Sequence, residues 1–351
     1  MHCIDNQYNM LFSMTNELEN KVVVFLRRSD GFLSYQKVYK TGGKGTGAQI
    51  VDPLGSQGSI VISRDKRFLF LVNAGSNEIS SFRINQTDLT LVDVIPSGGI
   101  FPNSLTEVNH NLYVTNSGNS PQAPSNVSGF HIDFYGHLRP LKGSKRLLSS
   151  NTAGSRCIVA SSNGSKLAVS ENVTNNISIY KINDDGSLSN PVVNPSNGAG
   201  PFGSSYLHNN ILVVAEVTIN AMSSYYVQRN RVLDVISASV LNNQTATCWI
   251  SVTPDERYAY TSNAGSGTLT RYRINENGSL TIIESIPSTP SMTGGPIDSS
   301  IDREGQNFYV LNGQEGSISI FRIKENGHLT LLQIYQNTRL PHVGAQGLAV
   351  L

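Results

Sequence analysis

The chain has 351 residues and carries 26 basic against 25 acidic side chains, which gives a formal net charge of +1 at pH 7. This balance does not favour binding to nucleic acid or to an anionic membrane surface. No apolar run approaches the roughly 20 residues of a membrane-spanning helix. We therefore expect a soluble protein whose function depends on a localised site.

The first predicted strands lie in residues 9–35, where NMLFSM and KVVVFLRR are rich in apolar and branched residues. The fullest example of the same pattern runs from Cys248 to Thr281. It reads CWISV, TPDE, RYAYTSN, AGSG, TLTRYRI, NENG and then SLT, so that three strands and the start of a fourth alternate with turns. Pro, Asp, Asn and Gly occupy the gaps, as is typical of tight turns. The repeating unit is therefore four short strands.

Seven copies of this unit follow one another along the chain. They begin near Asn9, Ser56, Pro102, Cys157, Pro201, Cys248 and Pro296. An asparagine that closes the second strand serves as a spacing marker, with intervals of roughly 43–57 residues. Its positions are Asn16, Asn73, Asn116, Asn172, the pair Ala215 and Glu216, Asn263 and Asn312. The pattern predicts an all-β, seven-bladed β-propeller of four-stranded blades, forming one domain over residues 1–351.

The two ends of the chain are complementary in this pattern. The first copy lacks an inner strand, whereas residues 344–351 read GAQGLAVL and match GSQGSIVI at residues 55–62. We expect the C-terminal strand to pair into the first blade and close the ring. Closure hides sheet edges that would otherwise template aggregation.

The cysteines and the N-terminus bear on cofactors and compartment. Cys3, Cys157 and Cys248 show no metal-like spacing, and no phosphate-binding or dinucleotide-binding motif is found, so we expect no metal and no cofactor. The first residues contain no basic region followed by an apolar core, so no signal peptide is visible. We expect a cytoplasmic monomer whose partner is a small molecule.

Propeller geometry selects one face for the site. Loops between second and third strands share a face with the connections that precede inner strands, and ligands bind at such loop clusters. Of the histidines, only His342 precedes an inner strand on this face. Its ordinary pKa suits proton transfer. The alternative is a solvated loop histidine.

Several charged residues occupy the same face. Glu216, in VVAEV, stands where other copies carry Asn, and it is either a site residue or a buried carboxylate that accepts backbone N–H groups. Glu171 and Asp298 hold comparable positions. Arg156 precedes an inner strand and has the geometry to hold an anionic substrate. For these three residues a structural role is the alternative.

The phrases DPLGSQG, FLFLVNAGSNEISSFRI, TATCWISVTPDERYAYTSNAGSGTLTRYRI and GPIDSS resemble the seven-bladed β-propeller lactonase family. That family includes 6-phosphogluconolactonases of the cycloisomerase 2 type and fungal carboxymuconate lactonizing enzymes. Its members place Gly-Pro-Arg-His before one inner strand and a Glu at the end of the following strand. Here Phe202 and Gly203 replace the Arg and His, while Glu216 matches the Glu. A further family histidine, in the preceding blade, has no match near Cys157, where Arg156 is the nearest polar group.

The resemblance implies metal-independent acid–base hydrolysis of a sugar-acid lactone such as 6-phosphogluconolactone. Glu216 would be the general acid or base, Arg156 would hold the substrate carboxylate or phosphate, and His342 is a further catalytic candidate. Substrate hydroxyls would bind to Asn16, Asn73, Asn116, Glu171, Asn263, Asp298 and Asn312. The alternative is a non-catalytic propeller that presents the same face to a ligand or protein, because a fold alone does not determine function.

Overall fold

The computed structural model describes residues 9–351, and the predictions that concern Cys3 and the N-terminal signal lie outside this range. The described chain forms seven antiparallel sheets, each a blade of the predicted propeller. Each inner strand contacts the inner strands of its two neighbours, and the last blade contacts the first, so the blades form a ring. The prediction of an all-β seven-bladed propeller is confirmed.

The strands of blades 1 to 4 are given from the central channel outward. Blade 1 contains Gln346–Val350, Asn9–Met14, Lys21–Arg27 and Leu33–Lys40. Blade 2 contains Ile60–Ile62, Phe68–Asn73, Glu78–Asn85 and Asp88–Pro96. Blade 3 contains Pro102–Val108, Asn111–Asn116, Asn126–Ile132 and a divided outer strand, Leu138–Pro140 and Arg146–Leu147. Blade 4 contains Ser155–Ala160, Lys166–Glu171, Asn176–Lys181 and Val192–Pro195.

Blades 5 to 7 follow the same order. Blade 5 contains Pro201–Tyr206, Ile211–Glu216, Ala221–Val227 and Leu233–Leu241. Blade 6 contains Thr247–Val252, Tyr258–Asn263, Thr268–Ile274 and Leu280–Pro287. Blade 7 contains Pro296–Ile301, Asn307–Asn312, Ser317–Ile323 and Leu329–Tyr335. A short 3₁₀ turn, His208–Asn210, is the helical element of the described chain, in which no helix is long and apolar enough to cross a membrane.

Burial of the strands follows from blade stacking. The second strand of a blade is covered on both faces by neighbouring blades, and every residue of Phe68–Asn73 is buried. The outer strand faces solvent, and Leu280–Pro287 alternates between buried or half-buried and exposed residues. Continuous apolar runs in the sequence therefore mark middle strands, while alternating runs mark outer ones.

Buried tyrosines on second strands connect adjacent blades. The hydroxyl of Tyr260 in blade 6 donates to the carbonyl of Gly327 in blade 7 at 2.6 Å. Tyr113 makes the same contact with Gly186, from blade 3 to blade 4, at 2.8 Å. Each ring contributes apolar area to the core, and its hydroxyl finds the partner that a buried polar group requires.

The C-terminal strand closes the ring as predicted. Gln346–Val350 pairs antiparallel with the first described strand of blade 1. The Ser13 hydroxyl donates to the Gly347 carbonyl at 2.7 Å, and Leu351 N donates to the Met10 carbonyl at 2.8 Å. Blade 1 therefore combines the two ends of the described chain.

A buried ion pair supports the same closure. Arg27 Nη1 of blade 1 lies 2.8 Å from Asp302 Oδ2 of blade 7, and the two side chains are 5% and 0% exposed. Asp302 Oδ2 also accepts from Asn307 Nδ2 at 2.6 Å. The pair joins residues that are far apart in sequence, across the junction of the first and last blades.

The spacing marker is displaced in two blades. The second strand of blade 1 ends at Met14, opposite Gln346, and not at Asn16. The second strand of blade 4 ends at Glu171, one residue before Asn172. The repeat count is unaffected, but Glu171 and Glu216 now occupy the same position in successive blades.

Candidate functional site

The residue that ends a second strand is buried and bonds to a hydroxyl group of the neighbouring third strand, seven positions later in the chain. The pairs are Asn73–Ser80 at 2.7 Å, Glu171–Ser178 at 2.5 Å, Glu216–Ser223 at 2.6 Å, Asn263–Thr270 at 2.9 Å and Asn312–Ser319 at 2.8 Å. In blade 3, where the intervening loop is longer, Asn116 bonds to Asn126 at 3.1 Å. These side chains hold the strands of their own blade together.

Asn16 forms hydrogen bonds to a loop and not to a neighbouring strand. Its Nδ2 donates to Thr46 Oγ1 at 2.8 Å, and its Oδ1 accepts from Thr46 N at 3.0 Å. The glycine-rich connection between blades 1 and 2 is thereby fixed to the end of the first described strand. The predicted substrate-binding role of Asn16, Asn73, Asn116, Asn263 and Asn312 stays a prediction, and all five are at most 3% exposed.

Glu216 lies inside blade 5. Its side chain is 0% exposed. Oε1 accepts from Gly198 N at 2.8 Å and from Ser223 Oγ at 2.6 Å, while Oε2 accepts from Ser239 Oγ at 2.7 Å. This geometry is that of the buried carboxylate considered as the alternative, and the catalytic role of Glu216 stays a prediction.

Two further candidates are Glu171 and His342. Glu171 is also 0% exposed and accepts from the hydroxyls of Ser178 and Thr174, the latter at 2.9 Å. His342 is exposed on the connection that precedes the closing strand. In the described chain, the hydrogen bonds of Glu171 go to serine and threonine residues and to none of the other candidates.

The central channel is crossed by residues 51–59, which connect blade 1 to the inner strand of blade 2. We call them the channel segment. The Ser56 carbonyl accepts from Trp249 Nε1 of blade 6 at 3.0 Å and from Gln346 Nε2 of blade 1 at 3.1 Å. The Ser56 hydroxyl donates to the carbonyl of Asn103, in blade 3, at 2.7 Å. One residue is thus tied to three blades.

Gln57 extends this anchoring. Its Nε2 donates to the Ser204 carbonyl of blade 5 at 3.0 Å, and its Oε1 accepts from Ile250 N of blade 6 at 2.9 Å. Gln57 N donates to the Arg156 carbonyl of blade 4 at 2.9 Å. Because the segment is bonded around the channel wall, it holds nearby side chains in fixed positions.

We call the region around the channel segment the channel mouth. Its polar centre contains Asp52 and Arg156, and both are half-buried. Asp52 Oδ1 accepts from Gly55 N at 2.8 Å, and Arg156 Nη1 donates to the Gly55 carbonyl at 3.0 Å. Burial raises the pKa of Asp52 to about 7, although the Arg156 charge and the backbone N–H of Gly55 act in the opposite direction. Burial also lowers the pKa of Arg156, against the favourable charge of Asp52.

Asp298 lies deeper, with 4% of its surface exposed. Its Oδ2 accepts from Gln346 Nε2 and from Gly347 N, both at 2.8 Å. Burial raises the pKa of Asp298 to about 7, the Gly347 N–H opposes this rise, and the charge of Asp52 adds to it. The two carboxyl groups therefore influence each other's ionisation.

Aromatic side chains lie next to Arg156. The Arg156 guanidinium lies 5.7 Å from the centre of the Phe202 ring, and that ring meets the Trp249 ring edge-on at 5.2 Å. Nearby Cys248 is 5% exposed, and burial raises the pKa of its thiol well above the usual value. A thiol in this state is a poor nucleophile. The carboxyl and guanidinium groups carry the chemistry that this mouth can perform.

The arrangement suits proton transfer next to an anion-binding group. A carboxyl group with a pKa near 7 exists in both protonation states at neutral pH, as general acid–base catalysis requires. Within residues 9–351, no group of three or more His, Cys, Asp or Glu side chains is placed to hold a metal ion.

Of the residues predicted from the sequence, Arg156 and Asp298 both adjoin the channel segment. Arg156 bonds to the Gly55 carbonyl, and Asp298 shares the donor Gln346 Nε2 with the Ser56 carbonyl. Asp52, Gln57 and Gln346 were not predicted. Asp52 precedes an inner strand on the selected face, so the geometric argument applied to it as well, and it belongs to the DPLGSQG phrase. The bonding that carries this segment across the channel has no local sequence signal.

The sequence matches one family model, described as "Lactonase, 7-bladed beta-propeller", over residues 4–144 and 213–343. The unmatched stretch between them contains Arg156 and Phe202. No curated protein matches the chain.

Solved structures share the fold at low identity. A periplasmic gluconolactonase of Pseudomonas aeruginosa superposes with a TM-score of 0.78 at 16% identity, covering 98% of each chain. A protein of Bacteroides fragilis that is provisionally assigned as a 6-phosphogluconolactonase gives 0.75 at 16% identity and covers 100% of each chain. A protein of Lactobacillus plantarum gives 0.78 at 17% identity, covering 98% of this chain and 99% of its own.

Proposed function

Because the chain belongs to the seven-bladed β-propeller lactonase family, we propose that it hydrolyses a sugar-acid lactone at the channel mouth. The observation that carries this proposal is the half-buried Asp52 carboxyl, with a pKa of about 7, which bonds to the same residue, Gly55, as the Arg156 guanidinium. Asp52 replaces Glu216 as the proposed acid–base group, since Glu216 is fully enclosed by its own blade.

In the proposed mechanism the Asp52 carboxylate removes a proton from a water molecule as that water attacks the lactone carbonyl carbon. The resulting tetrahedral species collapses with cleavage of the bond to the ring oxygen. Protonated Asp52 then returns its proton to that oxygen, which becomes the hydroxyl of the open-chain acid. Arg156 binds the substrate's carboxylate or phosphate, as guanidinium groups do in bidentate geometry.

The substrate class follows from the relatives. The named relatives are a gluconolactonase and a provisional 6-phosphogluconolactonase. We therefore propose an aldonolactone, and the Arg156 charge favours a phosphorylated one. The proposed compartment is the cytoplasm and the proposed state is a monomer, which cell fractionation and light scattering test.

Ligand binding without turnover is the second candidate. The channel segment bonds to blades 1, 3, 4, 5 and 6 and occupies the channel. The family's Arg-His pair is replaced by Phe202 and Gly203. Both features are compatible with a mouth that holds an anionic sugar and does not hydrolyse it.

The test compares two carboxylates in one assay. Purified protein is incubated with glucono-1,5-lactone and with 6-phosphogluconolactone, and the rates are corrected for spontaneous hydrolysis. Asp52→Asn should lower kcat by roughly 10²–10⁴, the usual effect of losing a general acid–base group. Glu216→Gln is the matched control, and this variant should keep its rate but melt at a lower temperature. One of the two carboxylate oxygens, which accept from three donors, becomes an NH₂ group that cannot accept a hydrogen bond.

The outcomes of this assay distinguish the two carboxylates and the two candidate functions. A normal rate for Asp52→Asn together with a large loss for Glu216→Gln would return the catalytic role to Glu216. Binding of both lactones without turnover by the unmodified protein would support the second candidate and refute hydrolysis.

A further inference from the structure

A groove lies between the outer parts of blades 2 and 3, apart from the channel mouth. Its volume is about 460 Å³, and none of the residues that line it belongs to the channel segment. The wall is mainly apolar. Six side chains form its apolar part, namely Ile95, Pro96, Phe130, Leu138, Pro140 and Leu141. We call this space the blade 2–3 groove.

The blade 2–3 groove lies beside the gap in the divided outer strand of blade 3. The two pieces of that strand, Leu138–Pro140 and Arg146–Leu147, both pair with the third strand. A loop covers the gap between them, where Leu141 N donates to the Gly129 carbonyl at 2.9 Å and Gly129 N donates to Ser144 Oγ at 2.9 Å. Because this backbone is already hydrogen-bonded, the groove offers its side chains to a ligand and not a free sheet edge to a peptide.

The segment that spans this gap is strongly basic. Residues 139–146 include four cationic side chains and no Asp or Glu. The four are Arg139, Lys142, Lys145 and Arg146. Arg139 and Lys145 line the groove and are exposed, and within residues 9–351 neither forms an ion pair. The Asp93 carboxylate, on the adjacent outer strand of blade 2, accepts from the Leu138 backbone N–H at 3.0 Å. Two cations beside an apolar wall are thus left without a carboxylate partner in the described chain.

This combination fits a ligand that has an apolar body and an anionic head. Pockets for single small molecules measure roughly 300–1,000 Å³ and are mostly apolar, with a few polar groups that fix the orientation of the ligand. A stable protein interface needs roughly 800 Å² of surface on each partner. The size of the groove therefore favours a small molecule.

We propose that the blade 2–3 groove binds an amphipathic carboxylic acid. The aliphatic chain of the acid lies against Phe130, Leu138 and Leu141. Its carboxylate accepts hydrogen bonds from the Arg139 guanidinium in bidentate geometry and from the Lys145 ammonium. This site is separate from the proposed lactone hydrolysis, because the two sites have no residue in common.

The test is isothermal titration calorimetry of the native protein with butyrate, octanoate, decanoate and decyltrimethylammonium, each below its micelle concentration. Decanoate should bind and butyrate should not. Each methylene added between octanoate and decanoate should tighten binding about two- to fourfold, as expected for a partly to fully buried CH₂ group. Decyltrimethylammonium has the same chain with a positive head, so it should bind roughly tenfold more weakly than decanoate or worse.

Three variants locate the binding. Arg139→Gln combined with Lys145→Gln removes both charges at the groove and should weaken decanoate binding by roughly fivefold or more, the effect of losing two partly exposed charge contacts. The matched control, Lys181→Gln combined with Lys324→Gln, changes the net charge equally at exposed positions of blades 4 and 7 and should bind decanoate as the native protein does. Leu141→Trp places a larger ring in the groove and should weaken decanoate binding in a protein that melts normally.

Three results would overturn the inference. They are no binding at about 1 mM decanoate, equal affinity for decanoate and decyltrimethylammonium, and native affinity for decanoate after both groove cations have been replaced. The rate of lactone hydrolysis should be the same in this double variant as in the native protein. The inference and the proposed function are therefore tested separately.

Discussion

Replacement of Asp298 by Asn should change how stability depends on pH. The carboxyl of Asp298 is 4% exposed, and burial raises its pKa from 3.8 to about 7. An acid whose folded pKa is raised stabilises the fold fully only below its unfolded pKa, and this contribution is lost as pH rises through the folded pKa. The native protein should therefore lose stability between pH 4 and pH 7.

The size of the effect follows from linkage. Each pKa unit corresponds to about 1.4 kcal/mol, and roughly two of the three units lie between pH 5 and pH 7, which gives about 3 kcal/mol for an isolated group. Because the charge of Asp52 contributes to the raised pKa of Asp298, the two groups titrate together, and we expect about half of this value from Asp298 alone. The amide oxygen in Asp298→Asn can still accept from Gln346 Nε2 and Gly347 N.

The measurement is equilibrium urea unfolding at pH 5 and pH 8, monitored by the fluorescence of Trp249, the single tryptophan and a neighbour of the site. The free energy of unfolding should fall with pH by about 1.5 kcal/mol more in the native protein than in Asp298→Asn. Asp185→Asn serves as the control and should keep the native pH dependence. An identical pH dependence in the native protein and in Asp298→Asn would refute the assignment of a raised pKa to this buried carboxyl.

Two other predictions concern the junction of the first and last blades. Deletion of residues 344–351 removes the inner strand of blade 1 and exposes two sheet edges, so the protein should become insoluble or lose its cooperative melt, and a normal melt would contradict ring closure. Arg27→Met leaves the buried Asp302 without its cation, so the free energy of unfolding should fall by roughly 3–5 kcal/mol in urea titrations, the usual cost of breaking a buried pair. A loss below about 1 kcal/mol would mean that Asn307 and the backbone satisfy Asp302 unaided.

The sequence predicts the fold well because its signals are local and repeated. Turn residues recur at regular intervals, and residues 344–351 repeat the pattern of an inner strand. Those features depend on side chains a few positions apart, which a single sequence displays directly. Only the exact ends of two strands, at Met14 and Glu171, differ from the spacing marker.

The site is harder to predict from the sequence than the fold, because its residues come from different blades of the ring. Arg156 and Asp298 could be selected as candidates by their position before or within inner strands, and their roles stay predictions. The route of the channel segment depends on bonds to several blades. The hydrogen bond that Glu216 makes within its blade does have a signal in the sequence. A hydroxyl residue stands seven positions after Glu216, as it does after Asn73 and Asn263, which have the same role.

The origin of Gln346 in the final strand has a consequence during synthesis. The three outer strands of blade 1 are synthesised before the other six blades, but the inner edge of blade 1 is covered only after residues 346–350 have been translated. Until then the ring is open and the inner edge of blade 1 is unpaired. Ring closure is expected to be slow because the two strands that must pair are far apart in sequence. Gln346, which bonds Asp298 to the channel segment, arrives with the same strand. A chain synthesised only as far as residue 345 therefore carries Asp52, Arg156 and Asp298 but lacks the amide that bonds Asp298 to the channel segment.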